Sequence, residues 1–127
     1  YLHSVRVAES VVGVLPSNVS YSLHKRVYLG KVITTVALLH DVVEDTSVTL
    51  EEIHQQFGKT VGTAVEMMTR RKGDSYFNDY IPALMTNPVS RIVKLADAKD
   101  NLNREATTDA HRSLKDRYRK AIEILED

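Results

Sequence analysis

The sequence predicts an all-α bundle of about seven helices. Apolar residues recur at helical spacing along most of the chain, two-residue alternation is weak throughout, and helix-start signals stand at Thr49–Glu52 and at Asn87–Pro88. At 127 residues the chain fits one domain with a single core, and no repeat, low-complexity tract or long linker divides it.

A first helix is expected from Leu2 to Val12, stopped by Gly13 and Pro16. Ser17 to about Tyr21 reads as a loop, punctuated by Pro16, Ser17, Asn18 and Ser20. The spacing of Val32, Val36, Leu39 and Val43 predicts a long second helix reaching about Glu44. Thr49 and Glu52 form a capping box that opens a short helix ending at Gly58. Val61, Ala64, Val65 and Met68 mark the buried face of the next helix, and Arg70 to Ser75 is a basic, glycine-containing loop. Tyr76 to Met85 reads as helical, with Pro82 kinking it or marking its start. Asn87 is an N-cap followed by proline at the first helical position, and Ile92, Val93 and Ala96 line the helix behind it. Leu114, Tyr118, Ala121, Ile122 and Leu125 predict the last helix.

Composition narrows the function. Lysine and arginine (17) balance aspartate and glutamate (17), so no global field draws in nucleic acid or an anionic membrane, and an anionic substrate needs a local basic cluster. The absence of cysteine excludes disulfides, zinc fingers and thiol catalysis and is compatible with a cytosolic setting. No apolar run approaches a membrane span and no signal peptide is evident. The chain opens on Tyr1 rather than Met, as a trimmed chain or a fragment would.

The densest chemistry lies in Leu38-Leu39-His40-Asp41-Val42-Val43-Glu44-Asp45-Thr46. Four ionisable groups follow a buried stripe, and charges near a core are costly unless compensated. A divalent cation would compensate them. An exposed acidic helix end is the other reading of the same spacing. A second strip runs along Arg91 to Asn101 and beyond, where Lys94, Asp97, Asn101 and Arg104 share one helical face. It could offer a metal ligand among phosphate-binding groups, or be a solvated surface. His3 is a third candidate, on a short helix beside Val5, Val7 and Ala8. His24, His54 and His111 lack a carboxylate neighbour and read as surface or partly buried side chains.

The set His3, His40-Asp41 and Asp97 resembles the H…HD…D pattern of the HD superfamily of metal-dependent phosphohydrolases. "ALLHDVVEDT", "TLEEIHQQFGKTVGTAVEMMT" and "RIVKLADAKDNL" resemble, over nearly the whole chain, the hydrolase domain of the RelA/SpoT family and its small stand-alone alarmone hydrolases. The resemblance implies an HD-domain helical fold, one Mn²⁺ and hydrolysis of the 3′-pyrophosphate of (p)ppGpp. It makes His3, His40, Asp41 and Asp97 metal ligands, Glu44 and Asp45 the catalytic acids, and Asn101 a substrate contact. Tyr118 matches a tyrosine near the bound nucleotide, and Arg70, Arg71 and Lys72 occupy the region of a phosphate-binding basic residue. Lys94 is a further candidate for phosphate.

Two departures bear on the substrate. Members of the family usually carry another helix before the first ligand histidine, with a basic residue for the substrate, whereas only two residues precede His3 here. The stretch from His3 to His40 is also longer than in that branch, as though 13–25 held an insertion. Two imidazoles and two carboxylates suit Mn²⁺, Fe²⁺ or Mg²⁺ better than a soft-ligand metal. Glu44 is the expected group to orient or deprotonate a water, with Asp45 holding it or serving as acid. The partner expected is a small nucleotide, with no nucleic acid, no membrane and the oligomeric state open. An HD nucleotidase for another nucleotide, a non-catalytic nucleotide-binding HD module and a metal-free helical adaptor are the competing readings.

Overall fold

The computed structural model describes residues 2–16, 20–104 and 109–127, the side chains of 109–111 excepted. Among them the chain forms α1 (Leu2–Ser10), α2 (Leu23–Leu39), α3 (Val42–Asp45), α4 (Leu50–Met68), a π-helical turn (Tyr76–Tyr80), α5 (Ile81–Met85), α6 (Pro88–Asn103) and α7 (Asp109–Glu126), with no strand. The all-α expectation holds. Residues 17–19 of the expected loop and the side chain of His111 lie outside the described residues.

Local chemistry sets most of the boundaries. The Ser22 side chain accepts the Lys25 amide at 3.2 Å and starts α2. Thr49 and Glu52 form the capping box of α4, the Thr49 hydroxyl accepting the Glu52 amide at 3.1 Å. Gly58 stands at φ +87° inside α4, a conformation open to glycine, so the segment is two helices meeting at a kink, as the sequence predicts. The Asn87 side chain accepts the Val89 and Ser90 amides and Pro88 opens α6.

Helices α1 and α2 both end earlier than expected, α1 at Ser10 rather than Val12. The second helix stops at Leu39 instead of running to Glu44, and His40–Asp41 form a turn before the short α3. The His40 ring Nδ1 donates to the Ala37 carbonyl at 2.6 Å, the acceptor that the Asp41 amide would use in a continuing helix. Pro82 marks the start of α5, one of the two expectations for this segment, and what precedes it is not α-helical. Tyr76–Tyr80 is a π-helical turn, with Pro82 in the first turn of α5 behind it. A proline there has no amide to lose from an i→i−4 ladder.

Two apolar clusters flank the functional region. The larger gathers Val7 and Val11 from and after α1, Val32, Ile33 and Val36 from α2, Ile53, Val61 and Val65 from α4, and Val89 and Val93 from α6. The smaller joins Tyr76, Tyr80, Ile81 and Leu84 to Ala121 and Leu125 of α7. Helix α6 touches α1, α2, α4, α5 and α7, so its polar strip sits between the clusters. Among the described residues no helix is long and apolar enough to cross a membrane.

Candidate metal centre

His3 comes from α1, His40 and Asp41 from the turn that ends α2, and Asp97 from the buried middle of α6. One donor atom from each lies within 4.8 Å of every other. The Nε2 of His3 is 2.7 Å from Asp97 Oδ1 and 3.9 Å from Asp41 Oδ2. The Nε2 of His40 is 3.1 Å from Asp41 Oδ2 and 3.2 Å from Asp97 Oδ1. His40 and Asp97 are buried, His3 and Asp41 partly so.

The outer contacts turn both imidazoles the same way. Nδ1 of His40 is held by the Ala37 carbonyl, and Nδ1 of His3 by the Asp100 carboxylate. Asp100 is gripped in turn by Arg6, whose Nε and Nη2 donate at 2.8 and 3.1 Å. A histidine whose Nδ1 is engaged presents Nε2 to a common point, the arrangement that orients imidazole ligands in metal sites. Asp97 is buttressed too. Its Oδ2 accepts Lys94 Nζ at 3.0 Å, and its Oδ1 accepts Asn101 Nδ2 at 3.3 Å.

The electrostatics follow from burial and pairing. Burial opposes the charge on Asp97, but hydrogen bonds from His3 and His40 outweigh it and hold the carboxyl well below its usual range. Burial also opposes protonation of His40, yet the Asp41 and Asp97 carboxylates raise its pKa to about 10. His3 is raised chiefly by its hydrogen bond to Asp97. Lys94 is likewise kept charged: burial disfavours its ammonium and Asp97 more than restores it. The carboxylates thus create a well for positive charge, which protons on the imidazoles or a hard cation can fill. Two nitrogens and two carboxylate oxygens, oriented and partly dehydrated, fit a divalent cation of the Mn²⁺, Fe²⁺ or Mg²⁺ type.

Three of the four donor residues, His3, Asp41 and Asp97, border a hollow also lined by Glu44, Arg70, Tyr76, Tyr80, Lys94, Asn101, Arg104, Arg117 and Tyr118, with His40 buried behind it. Of the other residues singled out in the sequence, Glu44, Arg70, Lys94, Asn101, Arg104 and Tyr118 therefore meet there. Glu44 is anchored, its Oε1 accepting the Arg70 amide at 3.0 Å. Asp45 borders a neighbouring hollow with Ser4, Val5 and Leu38, on the other side of Asp41. Arg71 is exposed, with its guanidinium 3.9 Å from Glu66, and Lys72 is exposed on the same loop; neither lines the hollow. His24 is exposed, and His54 packs over Gly62, where even a Cβ would collide with its ring.

Sequence reasoning passed over Asp100, Arg6, Tyr76, Tyr80 and Arg117. A second aspartate at i+3 from Asp97 was the available signal for Asp100, and adjacency to Tyr118 for Arg117. Nothing local marks Tyr76 or Arg6.

No family model matches the chain. Over 75 residues it is 39% identical to a guanosine-3′,5′-bis(diphosphate) 3′-pyrophosphohydrolase of Mus musculus, a match covering 56% of this chain and 42% of the relative. A protein of the same enzyme name from Aquifex aeolicus is 37% identical over 73 residues, 52% of this chain and 10% of the relative. A probable GTP pyrophosphokinase of Mycobacterium leprae is 36% identical over 85 residues, 58% of this chain and 11% of the relative. The chain thus spans less than half the length of each of these curated relatives.

Proposed function

We propose that this chain, an HD-type protein similar to the RelA/SpoT hydrolases, is a metal-dependent phosphohydrolase that removes the 3′-pyrophosphate of (p)ppGpp-like nucleotides. The observation that carries the reading is the convergence of His3, His40, Asp41 and Asp97 on one point. The names of the Mus musculus and Aquifex aeolicus relatives supply the substrate. Mn²⁺ is the proposed ion, held by those four side chains.

A divalent cation in this position supplies Lewis acidity, lowering the pKa of water towards neutrality and neutralising charge on a phosphate. The chain's own groups do the rest. His3 and His40 keep their Nε2 atoms aimed inward through Asp100 and Ala37. Asp97 is kept ionised by its hydrogen bonds to His3 and His40 and by Lys94. Glu44 is the general base: it lines the hollow, lies outside the four-donor set, and is fixed through one oxygen by the Arg70 amide. Asp45, beyond Asp41, braces the turn that carries that ligand through its amide, which donates to the Asp41 carbonyl at 2.9 Å. Arg70, Lys94, Arg104 and Arg117 line the same hollow as Asp41, Glu44 and Asp97, a set of cations suited to phosphate oxygens. Asn101 and Tyr118 line the same hollow and contact the nucleotide.

The test is Mn²⁺-dependent release of pyrophosphate from ppGpp. Wild type should turn over; Asp97→Ala should lose both Mn²⁺ binding and activity. Glu44→Gln keeps the amide contact but takes no proton, so Mn²⁺ should still bind while kcat falls by about 10²–10⁴-fold. Near-normal turnover in Glu44→Gln would remove it as base. Release of phosphate from another nucleotide but not from ppGpp would move the substrate and leave the metal chemistry standing.

A further inference from the structure

The hollow contains one group that the reaction just described does not use. Tyr76 is nine-tenths buried, it lines the hollow, and its hydroxyl is a buried oxygen with no hydrogen-bond partner among the described residues. A buried hydroxyl without a partner destabilises a fold, and native structures leave few of them unexplained. The neighbouring Tyr80 shows the ordinary solution, its hydroxyl donating to the Met68 carbonyl at 2.6 Å.

The surroundings of Tyr76 indicate what would satisfy it. Three cations ring its aromatic face: the Arg117 guanidinium 4.7 Å from the ring centroid, Arg70 at 5.6 Å and Lys94 Nζ at 5.6 Å. Lys94 is committed to Asp97, but Arg70 meets only the Asp74 backbone carbonyl and Arg117 makes no ion pair among the described residues. The hydroxyl is close enough to Lys94, Tyr80 and Tyr118 to enter the electrostatics of each. Tyr76 also opens the π-helical turn, an irregularity that recurs at functional sites. A neutral donor ringed by cations calls for an acceptor that is anionic and rich in oxygen.

We propose that Tyr76 and Arg117 form a phosphate-binding subsite, in which the Tyr76 hydroxyl donates to one phosphate oxygen and the Arg117 guanidinium, stacked on the Tyr76 ring, holds another. This rests on the reading of the hollow as a phosphohydrolase site, and it makes Tyr76 a determinant of specificity for a pyrophosphoryl group. The ring stacking keeps the guanidinium plane oriented before substrate arrives. A bound phosphate supplies the partner the hydroxyl lacks, so the fold's cost is recovered on binding.

That logic gives opposite signs for two measurements on Tyr76→Phe, which deletes the hydroxyl alone. Without ligand, its melting temperature should equal or exceed that of wild type, because an unsatisfied buried group has gone. Its affinity for inorganic pyrophosphate with Mg²⁺ present, measured by calorimetry, should fall roughly tenfold to a hundredfold. Arg117→Gln should weaken pyrophosphate comparably, and the double variant should lose less than the two losses multiplied together, since the residues share one ligand. With ppGpp, both single variants should raise KM more than they lower kcat. A Tyr76→Phe protein that melts lower and binds pyrophosphate as wild type does would make the hydroxyl structural and overturn the proposal, as would a wild type that binds no pyrophosphate. Hydrolysis of ppGpp by wild type with unchanged binding in Tyr76→Phe sinks the subsite alone. Pyrophosphate binding through Tyr76 without hydrolysis of any nucleotide sinks the proposed reaction and keeps the subsite.

Discussion

The His3 imidazole has one freedom that matters to a cation, rotation about its own ring axis, and Asp100 removes it. With Nδ1 held by Asp100 and Asp100 clamped by Arg6, Nε2 can only face Asp97 and Asp41. The Arg6 hydrogen bond is the main reason the Asp100 carboxyl lies below its ordinary range, so it is an acceptor at any physiological pH. Asp100→Ala leaves all four inward donors in place and frees the ring. Mn²⁺ affinity should drop about 10–100-fold by calorimetric titration. An unchanged affinity would show that packing against the His40 ring, 5.5 Å away centroid to centroid, orients His3 by itself. Arg6→Ala should cost far less, because Arg6 is exposed and a solvent-screened surface ion pair contributes little.

Among the elements α6 carries most of the site, presenting Lys94, Asp97, Asp100 and Asn101 from one continuous helix. Its start is set by Asn87, which satisfies two of the orphan amides of the first turn. It is then pinned in mid-core by the Ser90 hydroxyl, which donates to the Ala64 carbonyl of α4 at 2.8 Å. Asn87→Ala should lower stability by about 1 kcal/mol, read as an earlier urea midpoint at unchanged slope. Because the cap lies at the far end from Asp97, the folded fraction should bind Mn²⁺ as wild type does. A loss of Mn²⁺ affinity in that variant would mean that the register of α6 depends on its cap. Helix α2 works the other way, contributing by ending. At its end the His40 Nε2 stands 3.1 Å from Asp41 Oδ2 and 3.2 Å from Asp97 Oδ1, so the turn and α6 meet at one imidazole.

At the scale of the molecule, the larger cluster seats α1 against α2 and α6 and so brings His3 to Asp97. Ile33, fully buried at the centre of that cluster, is where the cost of loosening it is highest. Ile33→Ala should destabilise by about 2–5 kcal/mol, a large share of the 5–15 kcal/mol typical of a domain. Saturating Mn²⁺ should restore part of it, since a ligand at a hundred times its Kd adds about 2.7 kcal/mol to the folded state. The check is thermal melting with and without Mn²⁺. If the ion raised the Ile33→Ala midpoint no more than that of Asp97→Ala, loosening the cluster would have dispersed the cation site, and the expected partial rescue would fail.

The sequence by itself determined the helical class, the capping box at Thr49, the kink at Gly58 and the start of α6, because each is written in residues within one or two turns of one another. His40-Asp41 and the Lys94–Asn101 strip could be singled out for the same reason, as chemistry concentrated in a short span. Tertiary structure alone decided that His3 stands against Asp97 and Asp100, more than ninety positions away. It alone turned Arg71 and Lys72 out of the hollow, brought Arg117 in, and left the Tyr76 hydroxyl buried without a partner. It alone ended α2 at Leu39, where the His40 ring donates to the Ala37 carbonyl. Periodicity records which face of a helix is buried; it carries no record of what a side chain meets there, which is set by how helices far apart in the chain pack against each other.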